Sequence, residues 1–143
     1  MMQTTSNVKG LNSELSNEIN IFLEGFYGKS KEAAEQMVKC ELDPTQARGL
    51  ETLTATTTRF SEIINFVKKQ TGKGTKNNWT TIGPLLISQL EELEKKAEEL
   101  GKDDAHSCLE IKLQLAKGWV NQVICHYLYG KKMADEEGKE GQK

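Results

Sequence analysis

Two histidines and three cysteines are the side chains best equipped for metal or nucleophilic chemistry, and their spacing argues against both. His106 and Cys108 are two residues apart, and Cys125 and His126 are neighbours. On a helix neither pair faces one direction, whereas a helical metal site wants ligands at i and i+4. No metal is expected. A Cys–His pair for acyl chemistry is not selected by any surrounding context, and no Arg lies near either histidine in the chain. The run Thr71-Gly72-Lys73-Gly74-Thr75-Lys76 has the composition of a phosphate loop but no strand before it. The carboxylates from Glu91 to Glu99 read as a solvated helix face, with Glu91–Lys95 and Glu92–Lys96 as i,i+4 partners. The expectation is a protein that binds, not an enzyme, with no cofactor.

A different chemistry is concentrated between Thr45 and Lys76. Six threonines fall between Thr45 and Thr58, although threonine is a mediocre helix former. If one helix carries this stretch, Arg48 and Arg59 are eleven residues apart, three turns, and point the same way. Thr45, Thr52 and Thr56 lie beside them, and Phe66 extends the stripe. Hydroxyl and guanidinium groups in a row suit phosphate oxygens, and an exposed Phe can stack on a base. Lys68, Lys69, Lys73 and Lys76 carry the charge off the helix end and around a loop. The plainer readings are helix-dipole complementation for Lys68 and Lys69, solubility for the loop lysines, and helix–helix contact for the stripe.

The elements that must position these residues are helical. Leu11, Leu15, Ile19, Phe22 and Phe26 recur at helical spacing until Gly28. Ser30 then starts a short second helix with Ala34, Met37 and Val38 inward. Asp43 as N-cap, Pro44 at the first helical position and Gln46 three residues after the cap mark the next start. That third helix is expected to run to Gln70, with Leu50, Leu53, Thr57, Phe60, Ile64 and Val67 as its apolar stripe. A fourth begins near Thr80, buries Ile82, Leu86, Leu90, Leu93, Ala97 and Leu100, and ends at Gly101. Asp103 or Asp104 caps a fifth, which carries Leu109, Leu113, Ala116, Val120, Val123 and Tyr127 and ends at Gly130. Ile111, Leu115, Trp119 and Ile124 widen its apolar face until only Glu110, Gln114, Lys117 and Asn121 leave a polar strip. Such a helix belongs at the centre of a bundle. Both prolines fall in the first turn of an expected helix, and no segment alternates with period two.

The expected fold is therefore all-α: one bundle of about five helices over residues 1–130, with residues 131–143 as a disordered charged tail. At 143 residues one domain is enough to bury a core. The formal charge of -2 hides two opposed patches. Six basic residues against Glu51 and Glu62 lie between Thr45 and Lys76, and seven acids against three lysines lie between Glu91 and Asp104. An odd cysteine count, the absence of signal-peptide features at the start and the lack of a long apolar run point to free thiols in a reducing cytoplasm, away from any membrane.

Three stretches resemble the small α-helical subunit of type III CRISPR effector complexes. Leu42-Asp43-Pro44-Thr45-Gln46-Ala47-Arg48-Gly49-Leu50 is similar to its capped helix start with a hydroxyl residue and then an Arg. Trp79-Thr80-Thr81-Ile82-Gly83-Pro84-Leu85-Leu86 resembles the opening of its next helix, and Leu109 to Tyr129 is similar to its long closing helix. The resemblance implies a non-catalytic subunit, present in several copies along a backbone of larger subunits, with its basic surface against guide RNA and target nucleic acid. Only Arg48 is carried over within matched sequence. Thr52, Arg59, Lys68, Lys69, Lys73 and Lys76 join it as candidate nucleic-acid contacts on the charge reading alone. The acidic stretch from Glu91 to Asp104 departs from the family's basic character and suits a basic neighbouring subunit instead. The alternative is a helical adaptor whose third helix and lysine loop bind an acidic protein partner; a small-molecule-binding bundle is a third reading.

Overall fold

The computed structural model describes residues 13–73 and 78–141. Five helices follow in order: α1 (Ser13–Lys39), α2 (Pro44–Thr56), α3 (Phe60–Gly72), α4 (Trp79–Gly101) and α5 (Ala105–Gly141). No strand occurs among the described residues, so the all-α expectation holds. No helix among them is long and apolar enough to cross a membrane. Among the described residues the number of helices is the expected five, but the chain is divided differently.

The first two expected helices are one. α1 passes through Gly25 and Gly28, both exposed, and buries Ile19, Phe26, Ser30, Ala33, Ala34 and Met37 along one stripe. A mid-helix glycine costs about 1 kcal/mol, which burial on both sides of it outweighs. Ser30 is no cap: its buried Oγ donates to Gln122 Oε1 at 2.8 Å. α1 closes with Glu41 in the left-handed region (φ 58°). The Leu42 N–H donates to the Met37 carbonyl and the Glu41 N–H to that of Val38, both at 3.0 Å. This pairing is a Schellman termination, with Met37 and Leu42 as its buried apolar contact.

Asp43 then caps α2 as expected, its Oδ1 accepting from Thr45 N–H at 2.8 Å, with Pro44 at the first position. Gln46 takes a tertiary partner instead of completing a capping box, its Oε1 accepting from the Trp79 indole at 3.1 Å.

The expected single helix from Asp43 to Gln70 is two, broken at Thr57–Arg59. The threonines supply the reason. Thr54 Oγ1 donates to the Leu50 carbonyl at 2.8 Å and Thr56 Oγ1 to that of Thr52 at 2.9 Å. Such back-bonding weakens and bends a helix, and β-branched residues crowd the next turn. Thr57 leaves the helix with extended backbone (ψ 150°), and its Oγ1 accepts from Arg59 N–H at 3.1 Å. The chain then folds back, so that the Phe66 ring approaches Gly49 closely enough for an added Cβ to meet it at 3.5 Å. The buried residues are accordingly Ala47, Leu50 and Thr54 on α2 and Phe60, Ile63 and Val67 on α3. Leu53 and Ile64 are only half-buried and Thr57 turns the chain.

α4 begins at Trp79, so Pro84 sits in its second turn, not its first. Its expected stripe is buried from Ile82 to Ala97, with Leu100 half-buried. Gly101 ends it, and Asp104 caps α5 by accepting from Ser107 N–H at 3.0 Å.

α5 touches all four other helices, the central position its breadth of apolar surface predicted. It runs antiparallel to α4, where Trp119 meets Gln89 and Lys112 meets Glu94. It runs parallel to α1: Gly118 lies against Leu23, Gln122 bonds Ser30, and Gly130 lies against Val38. An added Cβ at Gly118 would sit 2.4 Å from Leu23 Cδ1, so glycine lets the two helices approach without displacing that side chain. Gly130 therefore serves packing and does not end the helix. The charged stretch expected as a disordered tail continues α5 to Gly141.

Candidate nucleic-acid interface

With Ala47, Leu50 and Thr54 inward, α2 turns Thr45, Arg48, Thr52 and Thr56 to solvent. Within α2 the Arg/Thr face is real. The Arg48 side chain is 61% exposed and lies 3.7 Å from Glu51, one turn on. The Thr56 hydroxyl is taken by the Thr52 carbonyl at 2.9 Å. The hydroxyls of Thr45 and Thr52 have no partner among the described residues and can meet an incoming acceptor.

Arg59 does not join this face, and the expected three-turn alignment with Arg48 fails because the helix ends between them. Arg59 stands at the N-cap of α3, its side chain 72% exposed and its Nε 3.3 Å from Glu62 Oε1. That same carboxylate oxygen accepts from Thr57 Oγ1 at 2.8 Å. The Arg59 hydrogen bond, with Thr57's, holds the Glu62 carboxyl below the usual range. Phe66 is half-buried and meets the Trp79 ring edge-on at 5.9 Å, so it is a packing residue and not a stacking platform.

The same fold-back that separates Arg59 from Arg48 brings other cations toward Arg48. Since Phe66 lies level with Gly49, the residues after it return alongside the start of α2. Lys68, Lys69 and Lys73 are exposed and lie toward the Arg48 end, with Arg59 at the other end of the hairpin. Lys76 lies outside the described residues. From Pro44 to Lys73 five basic side chains stand against Glu51 and Glu62, and both acids are engaged by an arginine. Exposed pairs of this kind are worth about 0–1 kcal/mol, little enough for a phosphate to compete.

The acidic stretch of α4 is partly neutralised from within the bundle. Lys29 meets Glu92 at 2.5 Å, and Lys112 reaches Glu94 at 3.4 Å and Glu98 at 3.6 Å. Lys96, expected to pair with Glu92, lies over the Phe22 ring at 5.7 Å.

The cysteines are free and scattered: Cys40 just after α1, Cys108 in the first turn of α5 and Cys125 near its middle. Burial pushes the Cys40 thiol up. His106 is exposed on the first turn of α5, while His126 meets Tyr27 edge-on at 4.9 Å. Among the described residues no three His, Cys, Asp or Glu side chains form a cluster able to hold a metal ion.

A second feature escaped the sequence reading. A hollow of about 600 Å³ lies between α1 and α5, bordered by Tyr27, His126 and Tyr129. Its one sequence signal is that the polar strip Gln114, Lys117, Asn121 continues at i+4 spacing through Cys125 to Tyr129. The parallel pairing of α1 with α5, which brings Tyr27 to that strip, joins residues about a hundred positions apart and leaves no local trace.

Compared with known proteins, the chain matches no protein-family model, no curated protein and no solved structure.

Proposed function

We propose that this protein is a non-catalytic helical subunit of an RNA-guided CRISPR effector complex that holds the guide–target nucleic-acid backbone without reading bases. The single observation that carries the reading is the exposure of Arg48, Arg59, Lys68, Lys69 and Lys73 on one helical hairpin whose only acids are already engaged. Charged donors and free threonine hydroxyls recognise phosphate oxygens whatever the base. The three stretches that resemble the CRISPR small subunit form the α2 start, the α4 start and α5. They support a bundle built to present the hairpin while larger subunits, and copies of itself, do the rest.

A salt titration of the full chain against an RNA duplex tests this. Backbone binding predicts affinity that falls steeply and linearly in log–log form as salt rises. Absence of affinity even at low salt would leave the adaptor reading, in which the same hairpin meets an acidic protein.

A further inference from the structure

We infer that the trough over α5 takes an unstacked nucleobase of a single-stranded nucleic acid, seated between Tyr27 and Tyr129. This rests on the backbone-binding reading and adds a second, base-dependent contact to it.

The trough is built from two hollows that share Asn121. One, of about 500 Å³, lies where α5 passes between α1 and α2, with Glu51 and Lys117 on its walls. The other is the hollow between Tyr27 and Tyr129. α2 runs antiparallel to α5, with Tyr127 bonded to Leu42 and Ala55 facing the same hollow as Gln114. That register brings Arg48 level with Asn121, and Arg48 reaches the trough through Glu51, which lines it and lies 3.7 Å from the guanidinium. A strand held by Arg48 can therefore continue along α5 toward the tyrosines.

The side chains in the second hollow favour a base over an aliphatic or peptide occupant. Tyr27 and Tyr129 are 45% and 67% exposed, although the same helices bury Phe26, Trp119 and Tyr127. Tyr27 is steadied by its edge-on contact with His126 at 4.9 Å and an interplanar angle of 77°. A ring held this way presents a face for stacking, and stacking tolerates every base. Gln122 is held in the fold at both ends of its amide, its Oε1 accepting from Ser30 and its Nε2 donating to the Leu23 carbonyl. Asn121 is freer: its Oδ1 has only a 3.9 Å contact with the Cys125 thiol. Its amide can meet a base edge.

The charge complements a backbone. Lys31 and Lys117 line the two hollows and Lys39 an adjoining one, against Glu35 and Glu51. Glu51 is already engaged by Arg48.

The test uses the full chain with two probes of equal length, an oligouridylate and an abasic oligomer with the same backbone. The wild-type protein is expected to bind the oligouridylate about tenfold or more tightly than the abasic strand. Tyr27→Ala with Tyr129→Ala should bring the two affinities together while leaving the abasic affinity and the circular dichroism unchanged, since both rings are exposed. Tyr129→Phe should keep the preference, because stacking needs the ring and not the hydroxyl. Equal wild-type affinity for the two probes, or a preference that survives the double alanine variant, overturns the inference and leaves the backbone reading standing. Binding of neither probe also overturns the inference, while the duplex titration decides the backbone reading separately.

Discussion

The Trp119 indole donates to Gln89 Oε1 at 2.9 Å, and the Nε2 of the same amide donates to the Lys29 carbonyl at 2.9 Å. One buried side chain thus ties α5, α4 and α1 together in a single register. Gln89→Leu keeps the volume but leaves the indole N–H without a partner in the core. Chemical denaturation should show a loss of about 1–3 kcal/mol. An unchanged midpoint would mean that the amide is dispensable to the bundle.

The Tyr127 hydroxyl, fully buried, donates to the Leu42 carbonyl and anchors α5 to the α1–α2 turn. Burial pushes its pKa up to about 12 from an ordinary 10.0. The folded state therefore holds this proton more tightly than the unfolded chain. The contribution is complete below pH 10 and is lost as pH rises toward 12, on the order of 2–3 kcal/mol in all. Tyr127→Phe should unfold more readily at neutral pH, by about 0.5–1.5 kcal/mol, and should lack this alkaline loss. Parallel pH profiles for the two proteins would contradict the assignment.

Among the described residues, two that are not glycine hold left-handed backbone. Glu41 closes the Schellman turn at φ 58°, and Lys102 sits at φ 55° and ψ -124°. The Asp104 N–H reaches the Gly101 carbonyl at 3.2 Å, so Lys102 is the first central residue of a type II′ turn, where glycine is favoured. Glu41→Gly and Lys102→Gly should each stabilise by about 1 kcal/mol, the relief of left-handed strain less glycine's greater unfolded entropy. Thermal melts check this, and a lowered melting temperature for either variant would argue against it.

Beyond Lys132 the described side chains of α5 are exposed, and a Lys132–Glu136 pair at 3.5 Å is a local i,i+4 contact. Removal of residues 135–143 should lower the helical signal without moving the unfolding midpoint. A lower midpoint would show that this segment packs on the bundle.

Much of the bundle was legible because its signals are local or periodic. Asp43-Pro44 and Gly101 to Asp104 mark helix ends by their own chemistry, and the breadth of the apolar face of α5 declares a buried helix, with Ala116, Val120, Val123 and Tyr127 of the expected stripe buried but Leu109 exposed and Leu113 half-buried. What misled was tertiary. Gly28 and Gly130 look like stops, yet one is carried through by burial on both sides and the other gives Val38 its close approach. Ser30 looks like a cap until a glutamine 92 residues away claims its hydroxyl. The threonine run was noticed as poor helix material, but its consequence is a hairpin rather than a continuous stripe. The candidate site changed with it: Arg48 kept its place, Arg59 moved to the far end, and Phe66 went into the packing.

The central claim is that the α2–α3 hairpin meets phosphates. The measurement that tests it most directly is the salt slope of RNA binding by the triple variant Arg48→Glu, Lys68→Glu, Lys69→Glu. All three side chains are exposed, so the circular dichroism should match the wild type, with a stability change within about 0.5 kcal/mol per site. If each contacts one phosphate, affinity should fall at every salt concentration and for every RNA sequence alike. The log–log slope should shrink by about two to three units. An affinity and slope equal to those of the wild-type protein, with the fold intact, would contradict the claim.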